Sequence, residues 1–548
     1  MSAYKGFNKV KLTKPQRSTF DLTHDKRISM QPGKLIPGLV MEAIPSDQFN
    51  GSSEMLLRLL PLLAPIYDQL IVYVHFFFVP NRLLWADWET FITGGRLGVG
   101  VDPVDAPIPP YHSAEDFFTY IPTQESSLMD YLGIPILSDI DNTPANWTDV
   151  YIDAMPVLAY NLIYQNYYRD RNFVSDTQQD VYPYSSGLIG DFLELYTLKS
   201  RNYMHDYFTS ALPFTQRGEE VLIPIDGAVT YLESSRIMDA TDNPVNSAQY
   251  LGTDDSGGLG RLNIGGGVPN NPFSGSQFVR VENIDEVTNI SSTINDFRSA
   301  YALQVWLERN AVGGSRYTES TQAHFGVRPQ DSRLQRPEYI GGGRINIKIS
   351  EVVATANSLD ADDNVVPQAN MAGHGVSYGT TNSFNYFCTE HGFIMGIISI
   401  MNPPSYHQGL PRMFRRRSFL DYPWPTFAKL GEQQVDAAEL YASPTNLTAD
   451  DDGILPLFGY QSRYADWKYV PNTVHGAFHS SLLFWTGVRD FSASPELGAE
   501  FLAFDPTTIE RMFAVNDGSD QFIAYVHNRV MVKRPLPYFG TPNTLGFV

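Results

Sequence analysis

A single cysteine, Cys388, stands in 548 residues. Its isolation excludes intramolecular disulfides, four-cysteine zinc sites and CxxC redox pairs. No run reaches the roughly 20 apolar residues that a membrane helix requires. "LIVYVHFFFV", residues 70–79, comes nearest and stops at Pro80 and Asn81. The opening MSAYKGFNKVKLTKPQRS has no apolar signal segment, which argues against ordinary secretion. HExxH, internal repeats and coiled-coil heptads are also missing. Charged residues are scarce, 18% against the roughly 25% usual in soluble proteins. What fills their place is aromatic: 31 Tyr and 33 Phe bring the aromatic share to 13%. Subunit interfaces favour such residues over Lys and Glu, so the composition suggests a chain that buries surface against partners. The length allows several domains, or one domain with very long excursions, and the composition favours the second.

The net charge is −21, but it is unevenly spread. Residues 1–34 carry eight Lys or Arg against two Asp, a basic arm of +6 on a remainder of −27. Lys5, Lys9, Lys11, Lys14 and Arg17 are candidates to lie along phosphates, with Tyr4 and Phe7 placed to stack on unpaired bases. A solvated tail or a strap across a neighbouring subunit is the competing reading. A second cluster, Arg412, Arg415, Arg416 and Arg417 in "PRMFRRRSF", suits an acidic neighbouring subunit or nucleic acid, with the interface favoured.

"LIVYVHFFFV" reads as a strand whose two faces, Leu70/Val72/Val74/Phe76/Phe78 and Ile71/Tyr73/His75/Phe77/Val79, are both apolar. A strand wet on one side alternates apolar and polar, so this one is expected to be covered twice. His75 is expected to be a satisfied buried histidine. After it, Asn81 is placed to cap a short helix sharing Leu84, Trp88 and Phe91 on one face. Further strand-like runs are "GLVMEAI" (38–44), "RINIKIS" (344–350), "GFIMGIISIM" (392–401) and "FIAYVHNRVMVKRPL" (522–536). They are far apart, so a sheet must pair distant segments around long excursions. Two excursions read as helical: one behind Pro156 with Val157, Tyr160 and Tyr164 on one face, and "TINDFRSAYALQVWLERN" with Thr293 as its cap. Residues 215–290, rich in Gly, Ser, Asn and Asp, read as a surface insertion.

Few motifs carry chemistry. Gly375-Val376-Ser377-Tyr378-Gly379 fits GxSxG but reads as a polar loop, without the strand and helix that a nucleophile elbow needs. "GGLGRLNIGGG" lacks the Lys-Ser/Thr of a phosphate loop and reads as flexible. Asp360, Asp362 and Asp363 in "DADDN" are candidates for a calcium ion, with a solvated acidic turn favoured. No nucleophile, base and orienting group come together, so neither catalysis nor a cofactor is expected.

Nevertheless, the ordered motifs "RSTFDLTHDKR", "HFFFVPNRLLWADWETF", "NLIYQNYYRDRN", "HDYFTSALPF", the 36-residue block 307–342, "TEHGFIMGIISI", "YHQGLPRMFRRRSFLDYPWPTFAKLGEQ", "FGYQSRYADWKYVPNTVHGAFHSSL" and "RPLPYFGTP" resemble the major capsid protein of the Microviridae, in particular its gokushovirus-like branch. The resemblance runs from about residue 17 to 542. It implies a mainly β fold: an eight-stranded antiparallel jelly roll with long, partly helical insertions. Residues 1–34 would be the arm and 35–548 a single domain, with the 215–290 insertion as a surface protrusion that meets the host. It also implies a T=1 icosahedral shell of about sixty copies around circular single-stranded DNA. The implied partners are other copies of the chain, the packaged DNA, a small basic DNA-packaging protein, scaffolding and pilot proteins, and a host receptor. The implied location is the virion, assembled in the bacterial host cytoplasm. A β-sandwich glycosidase and a carbohydrate-binding module are the alternatives from other classes, and no sequence signal places the paired carboxylates of the first.

Overall fold

Eleven strands build two sheets. In chain order they are β1 (Ser18–Asp21), β2 (His24–Met30), β3 (Ile36–Ala43), β4 (Gln48–Leu59), β5 (Ile71–Pro80), β6 (Glu338–Asn346), β7 (Ile349–Val353), β8 (Met371–Thr380), β9 (Phe384–Phe387), β10 (Gly392–Met401) and β11 (Phe522–Arg534). The seven-stranded sheet runs β1-β11-β4-β8-β7, with β2 also on β11 and β9 also on β4; the four-stranded sheet runs β6-β5-β10-β3. Every pairing in both is antiparallel. This computed structural model describes residues 17–539 apart from 64–65, 94–106, 114–116, 118–123, 137–150, 175–181, 188–192, 219–235, 239–249, 254–261, 266–279, 283–293, 314–334, 354–357, 360–364, 367–370, 452 and 515–519. The chain divides into two compact units, residues 1–215 with 329–548, and residues 216–328. Both sheets belong to the first unit. The second contains the strand pairs Arg236–Met238 with Arg280–Glu282 and Tyr250–Thr253 with Leu262–Gly265, and the helix Ile294–Gly313.

Residue pattern explains the difference between the sheets. β11 and β4 alternate buried and open positions, as strands with one wet face do. All ten residues of β10 are buried, and β5 is buried except at His75. Val72, Val74, Phe76 and Phe78 pack into the core between the sheets. Phe77 and Val79 face a second core built with Val157, Leu158 and Tyr160 of the helix Met155–Tyr167. The double covering expected of residues 70–79 therefore comes from a sheet on one side and an excursion on the other.

Several local expectations change. The short helix after β5 is two, Asn81–Leu84 and Trp88–Thr93. Asn81 is the first helical residue and Pro80 its cap; Trp85 turns extended to bridge Tyr184, which interrupts the helix. "RINIKIS" is not one strand: it ends β6 and begins β7, crossing from one sheet to the other. Residues 18–30, read within the basic arm, are β1 and β2, zipped onto β11. "GVSYG" lies in β8 rather than in a loop, because its alternate residues pack inward and Ser377 Oγ donates to the Asn346 carbonyl at 3.0 Å. Leu262–Gly265, inside the glycine-rich stretch read as flexible, is a strand. The Thr293 cap lies outside the described residues.

Candidate assembly surface

Prolines 411, 423 and 425 forbid a long helix through this segment, and only the 3₁₀ turns Arg412–Phe414, Phe419–Asp421 and Pro425–Phe427 form. The segment is pinned to the strand pair Glu432–Asp436/Leu457–Ser462 and the adjoining turn of helix Ala437–Leu440. Gly409 begins the attachment. A Cβ there would lie 1.8 Å from the Glu439 carbonyl oxygen, so only glycine permits the approach. Leu410 N–H then donates to the Ala438 carbonyl at 2.8 Å.

The arginines come next along the chain. Arg415 Nη1 donates to Asp436 Oδ2 at 2.7 Å, and its Nη2 lies 3.4 Å from Glu439 Oε1. Arg412 donates to the Gln434 carbonyl at 3.0 Å and approaches Asp436 and Glu439 at 3.4 and 3.5 Å. Arg416 pairs with Asp466 and stacks 4.4 Å from the Trp467 ring centre. Burial pushes the Glu439 carboxyl above its ordinary range, and the Arg412 cation opposes that shift. A cavity of about 390 Å³ opens among these groups. The acidic partner expected from a neighbouring subunit is thus supplied by this chain. Arg417 differs: it is exposed, and among the described residues its side chain makes no ion pair.

The consequence is what the locked segment presents. Phe414 is 68% exposed and Phe419 71%, and Met413, Leu420, Tyr422, Trp424, Trp467, Tyr469 and Val470 are exposed with them. Exposed apolar groups on one segment and on the turn that Arg416 joins to it mark an interaction surface. Sequence reasoning singled out the arginines and passed over these aromatics. Proline-broken spacing gave them no face to belong to, and that absence of periodicity was the available signal.

The remaining candidates are dispersed. Lys5, Lys9, Lys11 and Lys14 lie outside the described residues, as do Asp360, Asp362 and Asp363. Arg17 is held by its own chain: it donates to the Ser46 and Lys533 carbonyls and lies 5.7 Å from the Phe387 ring centre. Lys26, also counted in the arm, is half-buried and donates to the Pro37 and Tyr131 carbonyls, and desolvation lowers its pKa to about 8. His75, expected to be a satisfied buried histidine, is half-buried, with its Nδ1 2.7 Å from the Tyr168 hydroxyl. Burial, then the nearby Arg201 cation, lowers its pKa to about 4.

His75 gives the subunit a pH dependence. Its folded pKa lies below the unfolded value, so between pH 6.5 and 4 the unfolded chain holds a proton that the native chain refuses. Stability falls across that window as pH falls, by at most about 3 kcal/mol. Denaturant midpoints at pH 7 and 4.5 should therefore drop less in His75→Gln than in the parent subunit; equal drops would contradict the assignment.

The family described as Capsid protein (F protein) matches residues 8–544. Capsid protein VP1 of Chlamydia phage 1 is 34% identical over 98% of this chain and 97% of its own length. Capsid protein VP1 of Bdellovibrio phage phiMH2K is 31% identical over 97% and 96%, and that of Spiroplasma virus 4 is 26% identical over 96% and 95%. A match through both sheets, the excursions and the arginine segment leaves no part of the described fold to another family. The chain belongs to the F capsid protein family of the Microviridae, a structural component of the virion and not an enzyme.

Proposed function

We propose that about sixty copies of this subunit close into a T=1 icosahedral shell around a circular single-stranded DNA genome. The outward-facing aromatics at 413–424 and 467–470 carry this reading, because a subunit that met no neighbour would leave them in water. An eight-stranded jelly roll is the framework. Taking β2, β3, β4, β5, β6, β8, β10 and β11 as one to eight, the sheet orders become 1-8-3-6 and 2-7-4-5, which supports that topology.

In this reading the arm, with Lys5, Lys9, Lys11 and Lys14, faces the genome, while Arg17 stays on its own chain's carbonyls. That places positive charge inward on a subunit of net −21. A small basic packaging protein shares the neutralisation, and scaffolding and pilot proteins act during assembly in the bacterial cytoplasm. Residues 215–290 form the protrusion that meets the host receptor.

Electron microscopy of the purified full chain tests the proposal. Uniform shells protecting single-stranded DNA from nuclease are expected. Phe419→Asp, at an exposed position, should stay within about 0.5 kcal/mol of the parent in stability yet lose shells. A parent chain that remains a stable monomer, or a Phe419→Asp chain that assembles normally, would overturn it.

A further inference from the structure

A second cavity, about 570 Å³, lies against the outer side of β5, between the C-terminal end of the helix Met155–Tyr167 and the segment around Arg201. Its volume falls within the roughly 300–1,000 Å³ of small-molecule pockets. Nothing in the shell reading uses it, and its lining has an unusual chemistry.

Arg201 is the key group. It is half-buried, its Nη1 donates to Ser399 Oγ at 2.9 Å, and its guanidinium lies 4.2 Å from the ring centre of Tyr73 and 5.9 Å from that of Tyr168. Among the described residues it pairs with no carboxylate. A half-buried cation that meets a hydroxyl and two aromatic faces but no carboxylate is suited to receive an anion. Arg169 and Asp170 line the same cavity, and Asp170 Oδ1 accepts from the Asn172 N–H at 2.8 Å. Flat surfaces flank the cations: His75 stacks on Tyr168 at 25° with ring centres 6.0 Å apart, and Tyr339 meets His75 edge-on at 5.9 Å. His75, kept neutral at neutral pH, spends Nδ1 on Tyr168 and leaves Nε2 without a partner among the described residues. Tyr339 and His205 are exposed, so solvent reaches the cavity beside them.

We infer that this cavity binds a nucleotide, its phosphate on Arg201 and its base against Tyr339 and the His75–Tyr168 pair. A phosphate supplies the missing counter-charge, and a nucleobase has both the π-face for tyrosine stacking and an edge for His75 Nε2. The inference deepens the genome-enclosing reading. It separates from that reading because binding is measured on subunits whatever their assembly state. Both a free mononucleotide and one nucleotide of an enclosed strand have this chemistry.

Calorimetric titration of the full-chain subunit with dTMP, dAMP, inorganic phosphate and oligo(dT) tests it. Saturable mononucleotide binding is expected, with inorganic phosphate at least about tenfold weaker because it cannot stack. Arg201→Met should weaken dTMP about tenfold or more. Tyr339→Ala, at an open position whose loss leaves the fold intact, should weaken it about fivefold or more, which keeps the test decisive if Arg201→Met fails to fold. Oligo(dT) competing with dTMP identifies an enclosed strand as the source; dTMP binding that oligo(dT) leaves untouched identifies the free nucleotide. No saturable binding, equal binding of inorganic phosphate, or unchanged binding in Tyr339→Ala would overturn the inference.

Discussion

Phe77→Asp is expected to abolish soluble subunit and particles alike. Phe77 is 1% exposed, and its ring lies 4.7 Å from that of Tyr167 and 5.6 Å from that of Tyr339. The residue faces the core beneath the helix Met155–Tyr167 rather than the core between the sheets. A carboxylate there loses aromatic packing and is desolvated against Val157, Leu158 and Tyr160. Those terms together cost about 5 kcal/mol or more, comparable to the whole stability of a domain, roughly 5–15 kcal/mol. Phe77→Leu, which keeps the position apolar, should cost only about 1–2 kcal/mol and still give particles. Soluble yield, thermal melting and gradient sedimentation read both variants. Normal particles from Phe77→Asp would mean that the excursion does not seal this face.

Asp436→Ala is expected to destabilise the subunit by about 3 kcal/mol and to free the segment 411–424. Asp436 accepts from both Arg412 and Arg415, and its side chain is only 10% exposed. Removing one partner of a buried ion pair leaves the other charge desolvated, and that penalty exceeds the value of the pair itself. Arg417→Ala, by contrast, removes an exposed side chain and should shift stability by no more than about 0.5 kcal/mol. Thermal melting and limited proteolysis within 411–424 distinguish the two. The double variant Asp436→Ala/Arg415→Ala should lose less than the sum of its singles, because the two groups share one interaction. An Asp436→Ala subunit that melts with the parent would show that the arginines are free to serve a neighbour, as their clustering in the sequence first implied.

That contrast marks where sequence reasoning stopped. "PRMFRRRSF" is visibly basic, but the partners of its arginines, Asp436, Glu439 and Asp466, lie 20 to 50 positions further on in a strand, a helical turn and a 3₁₀ turn. Charge clustering is local, whereas charge pairing depends on how distant segments meet. β4 went unread for a related reason. Its buried positions include Gly51 and Ser53, so alternation is present without an apolar pattern to reveal it. Gly51 is there because the Phe384 ring occupies the place of a side chain. β8 was missed likewise, as small and polar residues fill a strand whose cover is supplied by neighbours.

By itself the sequence determined the features that neighbours along the chain dictate. One cysteine excluded intramolecular disulfides, interrupted apolar runs excluded a membrane helix of ordinary length, and the doubly apolar β5 required two coverings. The order of its motifs carried the family. Only the tertiary structure decided which cover lay on which face, that β6 and β7 part into different sheets, that Arg412, Arg415 and Arg416 pair within their own chain, and that His75, Tyr168, Arg201 and Tyr339 surround one cavity. The reason is physical: periodicity and composition reflect local backbone geometry and solvent preference, while these arrangements arise from contacts that close loops of tens to hundreds of residues.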